Sequence, residues 1–312
     1  RIGEHTQMKL LIENFRKFIK EVEQLDEFDQ TALDTLANPQ TPLATYVATL
    51  KKYANDKSFN KISQAGAADG APADEQVSVD RTSIAAASLY ATQAEIGFAA
   101  SLKDQMTNPS WKPVQKALGL DGTPIIMPSQ DDPPPPILVF DGEFILDGHH
   151  RWSQVMMMNP TGIVSIDNIT GGGLDSGEDA LKAMQFAIAA VANNVVTVPF
   201  EGDNLMAATE EVVQQFVLEN ITDEVLQLLV KAEKIAKPDK QLAAAYIAGN
   251  LKTIKSRAGK FSREKSMPQA GKSGVSQDVV NHALQTGKVN YDAPKASDAS
   301  GNSAQAQKQK DV

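Results

Sequence analysis

The feature that most restricts the fold of this chain is an uninterrupted series of two short strands, a tight turn and a helix. Ile137–Phe140 has the apolar composition of a strand, and Glu143–Leu146 is predicted to return beside it. Asp141-Gly142 between them is a strong two-residue hairpin signal. The helix is predicted over His149–Met158, and Asn159-Pro160 ends it. A hairpin that leads directly into a helix is typical of a small α+β domain with a mixed sheet.

Composition divides the rest of the chain into helical regions, a linker and a tail. Residues 1–62 are predicted to be a helical N-terminal region, and residues 63–76 have the Ala, Gly, Asp and Pro content of a flexible linker. The α+β domain is expected over residues 77–170. Residues 171–265 are expected to form a helical region that packs on this domain or follows it, and residues 266–312 a mostly disordered tail.

Apolar spacing and capping signals place further elements around the hairpin. Ser176 and Asp179 have the spacing of a helix N-cap that precedes a long apolar helix. Asp131–Pro136, which contains four consecutive prolines, must be an exposed extended segment, because proline fixes φ and has no N–H to donate. The predicted elements are strands at Val77–Val79 and Ile163–Ile166, helices at Thr92–Met106, Glu178–Ala192 and Lys240–Ile254, and two amphipathic helices between Thr209 and Lys237.

Near the start of the chain, apolar residues recur at spacings of three and four from Met8 to Phe28. This pattern predicts an amphipathic helix with one apolar stripe. The helix would pack either on the protein's own core or on a partner protein. The residues on the stripe are Leu11, Phe15, Phe18, Val22 and Leu25.

Charge and composition exclude several classes of function. The net charge is −9 and the isoelectric point is about 5.0, which argues against a protein whose whole surface binds nucleic acid. The basic run Lys252–Lys272 could still contact nucleic acid or an acidic neighbour, or form a solvated helix face. The absence of cysteine removes disulfides, zinc–thiolate sites and cysteine nucleophiles.

No part of the sequence predicts a membrane segment. The longest apolar stretch, Ala183–Val198, is interrupted by Gln185, Asn193 and Asn194. The N-terminal residues lack the basic and apolar regions of a secretory signal. We therefore expect a cytoplasmic protein, or one that is packaged inside a phage particle.

The turn from Asp147 to Arg151 carries the candidate functional residues. Backbone N–H groups at a helix start lack intrahelical acceptors and lie at the positive end of the dipole, so they attract an anion such as phosphate. Gly148 permits close approach, Arg151 offers a planar fork, and His149 or His150 can donate a hydrogen bond or transfer a proton. Asp147 could bind Mg²⁺, orient a histidine, accept a proton or simply cap the helix. Neighbouring helical residues point about 100° apart, so only one histidine can face a ligand.

The run Phe144–Gln154, preceded by Pro136–Gly142, resembles the nucleotide-binding segment of the ParB/sulfiredoxin superfamily. This superfamily includes ParB N-terminal domains, sulfiredoxins and free-serine kinases. The Asp-Gly-His-His-Arg form is similar to that of kinase-like and phage-encoded members. Upstream, Val77–Val79 and Leu89–Gly97 resemble the opening strand and the Thr-Gln-x-Glu segment of such domains. The resemblance covers Val77–Ile169, under a third of the chain.

The resemblance implies a ligand and roles for individual residues. It implies binding of ATP, ADP or CTP with Mg²⁺, and, from the kinase-like members, catalytic roles for Asp147, His150 and Glu95. The cysteine position of sulfiredoxins is occupied by His149, which excludes the reduction of cysteine sulfinate. The helix-turn-helix region of partition proteins cannot be identified downstream. The residues that the resemblance assigns to phosphate binding are Gly148, His149, His150 and Arg151.

Two kinds of function follow as hypotheses. The first is a nucleotide-dependent phosphotransferase, nucleotide hydrolase or nuclease in which Asp147 and His150 act with Glu95 as a base. The second is a structural or packaging protein of a bacteriophage virion that retains the domain as a binding module or scaffold. Ile2-Gly3-Glu4 and Leu11-Ile12-Glu13 favour the second, because they resemble the hydrophobic-x-Glu sites cut by phage head-maturation proteases.

Overall fold

The computed structural model describes six stretches of the chain, residues 27–64, 77–107, 112–127, 134–197, 200–258 and 269–291. The predicted helix Met8–Phe28 lies outside these stretches except for its last two residues. So do the two hydrophobic-x-Glu tripeptides, most of the predicted linker, and the tail beyond Tyr291.

A five-stranded mixed sheet forms the centre of the fold. Its strands are β1 (Ser78–Ala85), β2 (Tyr90–Ala91), β3 (Ile137–Phe140), β4 (Phe144–Asp147) and β5 (Ile163–Thr170), in the order β1-β5-β3-β4-β2. β1 is antiparallel to β5 and β3 is antiparallel to β4, whereas the β3–β5 and β2–β4 pairs are parallel. The predicted α+β class is confirmed.

The predicted hairpin is present between β3 and β4. Phe140 pairs with Phe144 and Val139 with Ile145. Asp141, Gly142 and Glu143 connect the strands, and φ is 50° at Asp141 and 63° at Gly142. The Glu143 N–H donates to the Phe140 carbonyl oxygen at 3.0 Å, which closes a four-residue turn with Asp141 and Gly142 at its centre. Positive φ at both central residues is what a type I′ turn requires, and it follows the right-handed twist of the two strands.

Helices surround the sheet along most of the described chain. In chain order they are α1 (Glu27–Ala37), α2 (Leu43–Tyr53), α3 (Lys57–Ser63), α4 (Phe98–Thr107), α5 (Lys112–Ala117), α6 (His149–Met158), α7 (Gly177–Ala192), α8 (Glu210–Asn220), α9 (Asp223–Lys231), α10 (Lys240–Ser256), α11 (Ala270–Ser273) and α12 (Gln277–Gln285). Helix α6 has the predicted bounds, and α7 begins after the Ser176 N-cap, whose hydroxyl accepts from the Asp179 N–H.

The sheet is buried on both faces, which gives three layers. Ile137, Val139 and Ile145 point into a core built with α4, α5, α6 and α8–α10. The alternate residues Leu138 and Leu146 point into a second core built with α2, α3, α7, α11 and α12. A strand buried on both sides has no polar face, which explains the unbroken apolar sequence of β3.

Two expectations about local structure are wrong. The predicted helix Thr92–Met106 begins only at Phe98, because the segment Thr92–Gly97 is irregular and its amide groups bond elsewhere. The proline segment is not exposed throughout, since Pro136 is buried and Pro135 is half-buried. Their carbonyl oxygens accept hydrogen bonds from Arg151, which holds this end of the segment against the sheet.

Residues 269–291 belong to the second core, although they fall in the region expected to be mostly disordered. Val280, Ala283 and Leu284 of α12 are buried against α7. Their helical spacing is the signal that an assignment by composition alone overlooks.

Helix α6 is the buried element that connects the sheet to the C-terminal helices. Trp152 is fully buried, and its indole N–H donates to the Ala86 carbonyl oxygen at 2.9 Å. At the C-terminal end of the helix, Asn250 Nδ2 donates to the Met157 oxygen at 2.8 Å and Tyr246 OH donates to the Met158 oxygen at 3.0 Å. Side chains of α10 thereby satisfy carbonyl groups that a helix end leaves without partners.

Within the described ranges, no helix has both the length and the apolar character needed to cross a bilayer.

Candidate functional site

The candidate site lies at the carboxyl-terminal ends of two neighbouring strands, β2 and β4. β2 and β4 are parallel, so the segments that follow them, Thr92–Gly97 and Gly148–Arg151, leave the sheet at the same edge. The start of β3 lies beside them, because Leu138 pairs with Asp147. Carboxyl ends of parallel strands are the usual position of ligand sites in sheets flanked by helices.

Gly148 turns the chain from β4 into α6. Its φ of 94° and ψ of 20° are left-handed, and it is the N-cap residue without a side-chain cap. The first helical hydrogen bond joins the Trp152 N–H to the Gly148 carbonyl oxygen at 2.9 Å. The earlier N–H groups of the turn, including those of His150 and Arg151, therefore have no intrahelical acceptor. Asp147 is the last residue of β4 and does not cap the helix.

His149 fastens the Thr92–Gly97 segment to the helix. The residue is 3% exposed, and its Nε2 accepts from the backbone N–H groups of Thr92 and Gln93, both at 3.2 Å. The Thr92 hydroxyl donates to the Ile145 carbonyl oxygen at 2.6 Å. An Nε2 atom that accepts from two amides carries no proton, so the hydrogen-bond network assigns the proton to Nδ1. The structure thus gives His149 an internal partner where the sequence suggested a phosphate.

His150 also accepts a hydrogen bond from the Thr92–Gly97 segment, at the segment's C-terminal end, but its side chain lies at the surface. Its Nε2 accepts from the Gly97 N–H at 3.1 Å. A Cβ atom on residue 97 would lie 3.3 Å from this Nε2 atom, so the approach depends on glycine. Partial removal of the ring from water lowers the pKa of His150, and the nearby charge of Asp147 acts in the opposite direction. Of the two histidines, His150 is the one that a ligand in solvent can reach.

The lowered pKa of His150 predicts a specific dependence of stability on pH. The folded protein favours the neutral ring, so its stabilising contribution is complete above the unfolded-state pKa of about 6.5. This contribution is lost as the pH falls through the lower folded-state pKa. In His150→Gln, the side-chain oxygen can accept from Gly97 without titrating. We expect urea unfolding at pH 8 and pH 5 to show a smaller loss of stability in this variant, and equal losses would contradict the prediction.

Arg151 ties three segments of the site together. Its side chain is 12% exposed, and Nη2 donates to Asp147 Oδ2 at 3.2 Å. Nη1 donates to the carbonyl oxygen of Pro136 at 3.0 Å and to that of Pro135. The guanidinium also packs on Gly148, where a Cβ atom would lie 3.0 Å from Nη2. The cation is therefore held in place by partners within the protein.

Asn204 holds the segment that carries Glu95, a role that no sequence pattern indicates. Its Oδ1 accepts from the Ile96 N–H and its Nδ2 donates to the Ala94 carbonyl oxygen, both at 3.1 Å. The peptide groups on either side of Glu95 are thereby fixed. The half-buried Glu95 thus lies in the segment that His149 and His150 hold, although it is more than fifty residues from them in sequence.

A metal ion at this edge would have to rely on Asp147. The described residues contain no group of three or more His, Asp or Glu side chains arranged to hold a metal. Asp147 offers one carboxylate that is 44% exposed and bonded through Oδ2 to Arg151. Mg²⁺ commonly takes one or two carboxylates and completes its shell with water and substrate phosphates, so this donor set fits Mg²⁺ only when a phosphate ligand accompanies it.

In the described part of the basic run, two of the cationic side chains contact other residues of the protein. Lys255 Nζ donates to the Ala208 carbonyl oxygen at 2.5 Å. Arg257 donates to the Tyr90 hydroxyl at 2.9 Å and lies 5.0 Å from the centre of that ring. Lys252 is exposed, and residues 259–268 lie outside the described ranges.

Comparisons with protein-family models, with curated proteins and with solved structures find no match for this chain. Arguments about function therefore depend on the residues of the site.

Proposed function

We propose that this protein binds a nucleotide through its phosphate groups at the start of α6, in the manner of the ParB/sulfiredoxin superfamily that its motif resembles. The observation that carries the proposal is the meeting of two separate segments. Thr92–Gly97 and Asp147–Arg151 each resemble part of the superfamily's binding region, and they are joined through His149 and His150. Chance similarity in either segment would not require them to be neighbours.

The electrostatics of the turn favour an anion. The N–H groups of His150 and Arg151, which have no intrahelical acceptor, and the dipole of the ten-residue helix α6 attract negative charge to this turn. His150 adds a donor, because Nε2 is the acceptor from Gly97 and the proton is on Nδ1. Together these groups would surround one phosphate with donors.

The pairing of Arg151 with Asp147 is compatible with phosphate binding. The Asp147 carboxylate is nearly half exposed, and an ion pair with an exposed partner contributes at most about 1 kcal/mol. A phosphate offers a stronger charge and a bidentate geometry, so it can replace the carboxylate on Nη2. The released carboxylate would then be available to Mg²⁺ bound to the same phosphates.

Binding should be measured by calorimetry with ATP, ADP and CTP, each with Mg²⁺. We expect binding of at least one nucleotide, and a decrease in affinity of about tenfold or more in Arg151→Ala, because the lost charge-assisted bonds contribute about 1.5–3 kcal/mol. Lys231→Ala removes an exposed cation from α9 and should leave affinity unchanged. Thermal unfolding of each variant verifies that it is folded.

Failure of all three nucleotides to bind, or equal affinities for the native protein and folded Arg151→Ala, would refute the proposal. Release of phosphate from the bound nucleotide separates an enzyme from a binding module. In a phosphotransferase or hydrolase, Asp147→Asn and Glu95→Gln should lose turnover while they retain binding. Binding without turnover would support the second hypothesis, in which the domain is a binding module of a virion protein.

A further inference from the structure

The two edge strands of the sheet, β1 and β2, differ in how far the rest of the chain covers them. At one edge, β2 is two residues long and is covered by the end of α10, since the Ala91 N–H donates to the Arg257 carbonyl oxygen at 2.8 Å. At the other edge, β1 is eight residues long, and all eight pair in regular register with β5. An edge strand of this length presents a row of backbone groups to a further strand.

The hydrogen bonds of β5 show which groups of β1 point outward. Ile125 bonds to β5 through the Ile163 carbonyl oxygen and the Ser165 N–H, so the odd-numbered residues of β5 point away from β1. The even-numbered residues of β5 therefore bond to the even-numbered residues opposite them in β1. Backbone groups of the alternate residues of β1 point out of the sheet, and these residues are Val79, Arg81, Ser83 and Ala85.

Little in the described part of the chain covers this edge. The residues Asp80–Ser83 are all exposed. Gln285 Nε2 donates to the Val79 carbonyl oxygen at 3.2 Å, which covers one outward group near the start of the strand. The strand has no proline, and its ladder with β5 has no bulge. Proline and bulges are two devices that commonly prevent a further strand from pairing.

Both charged residues of β1 have hydrogen-bond partners within the chain, and the charge of Arg81 is paired. Arg81 donates to both carboxylate oxygens of Asp167, at 2.9 and 3.2 Å. Asp80 accepts a hydrogen bond from the Ser78 hydroxyl at 2.7 Å. The guanidinium consequently reaches the edge with its counterion beside it, and it does not repel an approaching strand as an isolated cation would.

We propose that β1 pairs antiparallel with β1 of a second copy of this chain, about a two-fold axis at Thr82. The two five-stranded sheets then join into one continuous sheet. Such an isologous arrangement is the commonest form of homodimer. This proposal is independent of nucleotide binding. β1 is one edge strand of the sheet, whereas β2 and β4, which carry the candidate site, are the two strands at the other side.

The charged side chains of β1 disfavour the registers centred on Asp80 and on Arg81. An axis at Arg81 places each guanidinium opposite its equivalent, and an axis at Asp80 does the same with carboxylates, which is destabilising. An axis at Thr82 places Arg81 opposite Ser83 of the partner subunit and Val79 opposite Ala85 of the partner subunit. On the face that carries the odd-numbered residues, polar residues then face polar residues and apolar residues face apolar ones. On the other face Asp80 lies opposite Ile84 of the partner subunit, and the two threonines meet at the axis.

The absence of cysteine from the chain provides a direct test of the register. The two Thr82 positions would form a non-hydrogen-bonded pair with Cα atoms about 4.5 Å apart, within the range of about 4.4–6.8 Å that a disulfide spans. Thr82→Cys should therefore form a disulfide-linked dimer under mild oxidation. Asp80→Cys, also exposed, is the matched control, because its two copies would lie four residues apart along the strands, about 13 Å.

Analytical ultracentrifugation of the native chain completes the test. We expect a dimer that Thr82→Lys dissociates, since two ammonium groups would meet at the axis, and that an equimolar mixture of Thr82→Lys and Thr82→Glu restores. A native chain that sediments as a monomer at high concentration would overturn the proposal. So would a dimer in which Thr82→Cys and Asp80→Cys cross-link equally, because that result would place the interface elsewhere.

Discussion

Replacement of Gly148 by alanine is expected to lower the free energy of unfolding by about 2–5 kcal/mol. A non-glycine residue at its φ of 94° is strained, at about 1–2 kcal/mol. The added Cβ atom would also lie 3.0 Å from Arg151 Nη2 and 3.3 Å from the backbone Cα of Ile137. Relief of these contacts would displace the guanidinium from Asp147 and the prolines, at a further cost of about 1–3 kcal/mol.

Gly202→Ala is the matched control for this substitution. Gly202 has φ of 90°, and no atom lies within 4 Å of the position that its Cβ would occupy. It should show the backbone strain alone. Urea denaturation followed by circular dichroism measures both variants, and the difference between them isolates the crowding at the site. Equal destabilisation of the two proteins would show that the space beside Gly148 is not restricted.

Replacement of Trp152 by alanine is expected to destabilise the protein by about 3–5 kcal/mol, the range for truncation of a fully buried aromatic residue. The indole lies in the first core with no exposed surface, so its removal leaves a cavity. It also leaves the Ala86 carbonyl oxygen without the N–H that it accepts at 2.9 Å.

Trp152→Phe separates these two contributions. Phenylalanine keeps most of the apolar volume but lacks the N–H, so it should destabilise the protein by about 1–3 kcal/mol, the penalty for an unsatisfied buried acceptor. Chemical denaturation of both variants at one pH supplies the comparison. If Trp152→Ala lost less than about 1 kcal/mol, the placement of α6 against the sheet would be incorrect.

The parts of the fold that local signals determine were predicted closely. β3 and α6 have the expected bounds, and β4 is shifted by one residue from the expected Glu143–Leu146, because turn residues, apolar runs and an Asn-Pro stop act within a few residues of one another. The Ser176 cap was predictable for the same reason. The prediction of secondary structure is wrong at the start of Thr92–Met106, where apolar spacing indicated a helix throughout. Hydrogen bonds to His149 and His150 hold its first six residues in an irregular, non-helical form instead.

The site could be located from sequence but its connections could not. The turn from Asp147 to Arg151 was recognisable because its residue types are unusual together. The partners of those residues come from distant segments, as the bonds of Arg151 to Pro135 and Pro136 illustrate. An isolated asparagine such as Asn204 has neither periodicity nor a motif, so only coordinates reveal that it fixes the backbone around Glu95.

The caps that α10 places on α6 affect the order in which the protein can be made. Tyr246 and Asn250 are synthesised long after the helix whose end they complete, and β2 acquires its outer neighbour only with Ala258. In a nascent chain on the ribosome, the outer side of β2 and the carbonyl oxygens of Met157 and Met158 therefore lack these partners until α10 leaves the exit tunnel. During that interval the apolar surface of α6 is open to chaperones or to wrong associations, and a stop codon before residue 240 would make the state permanent.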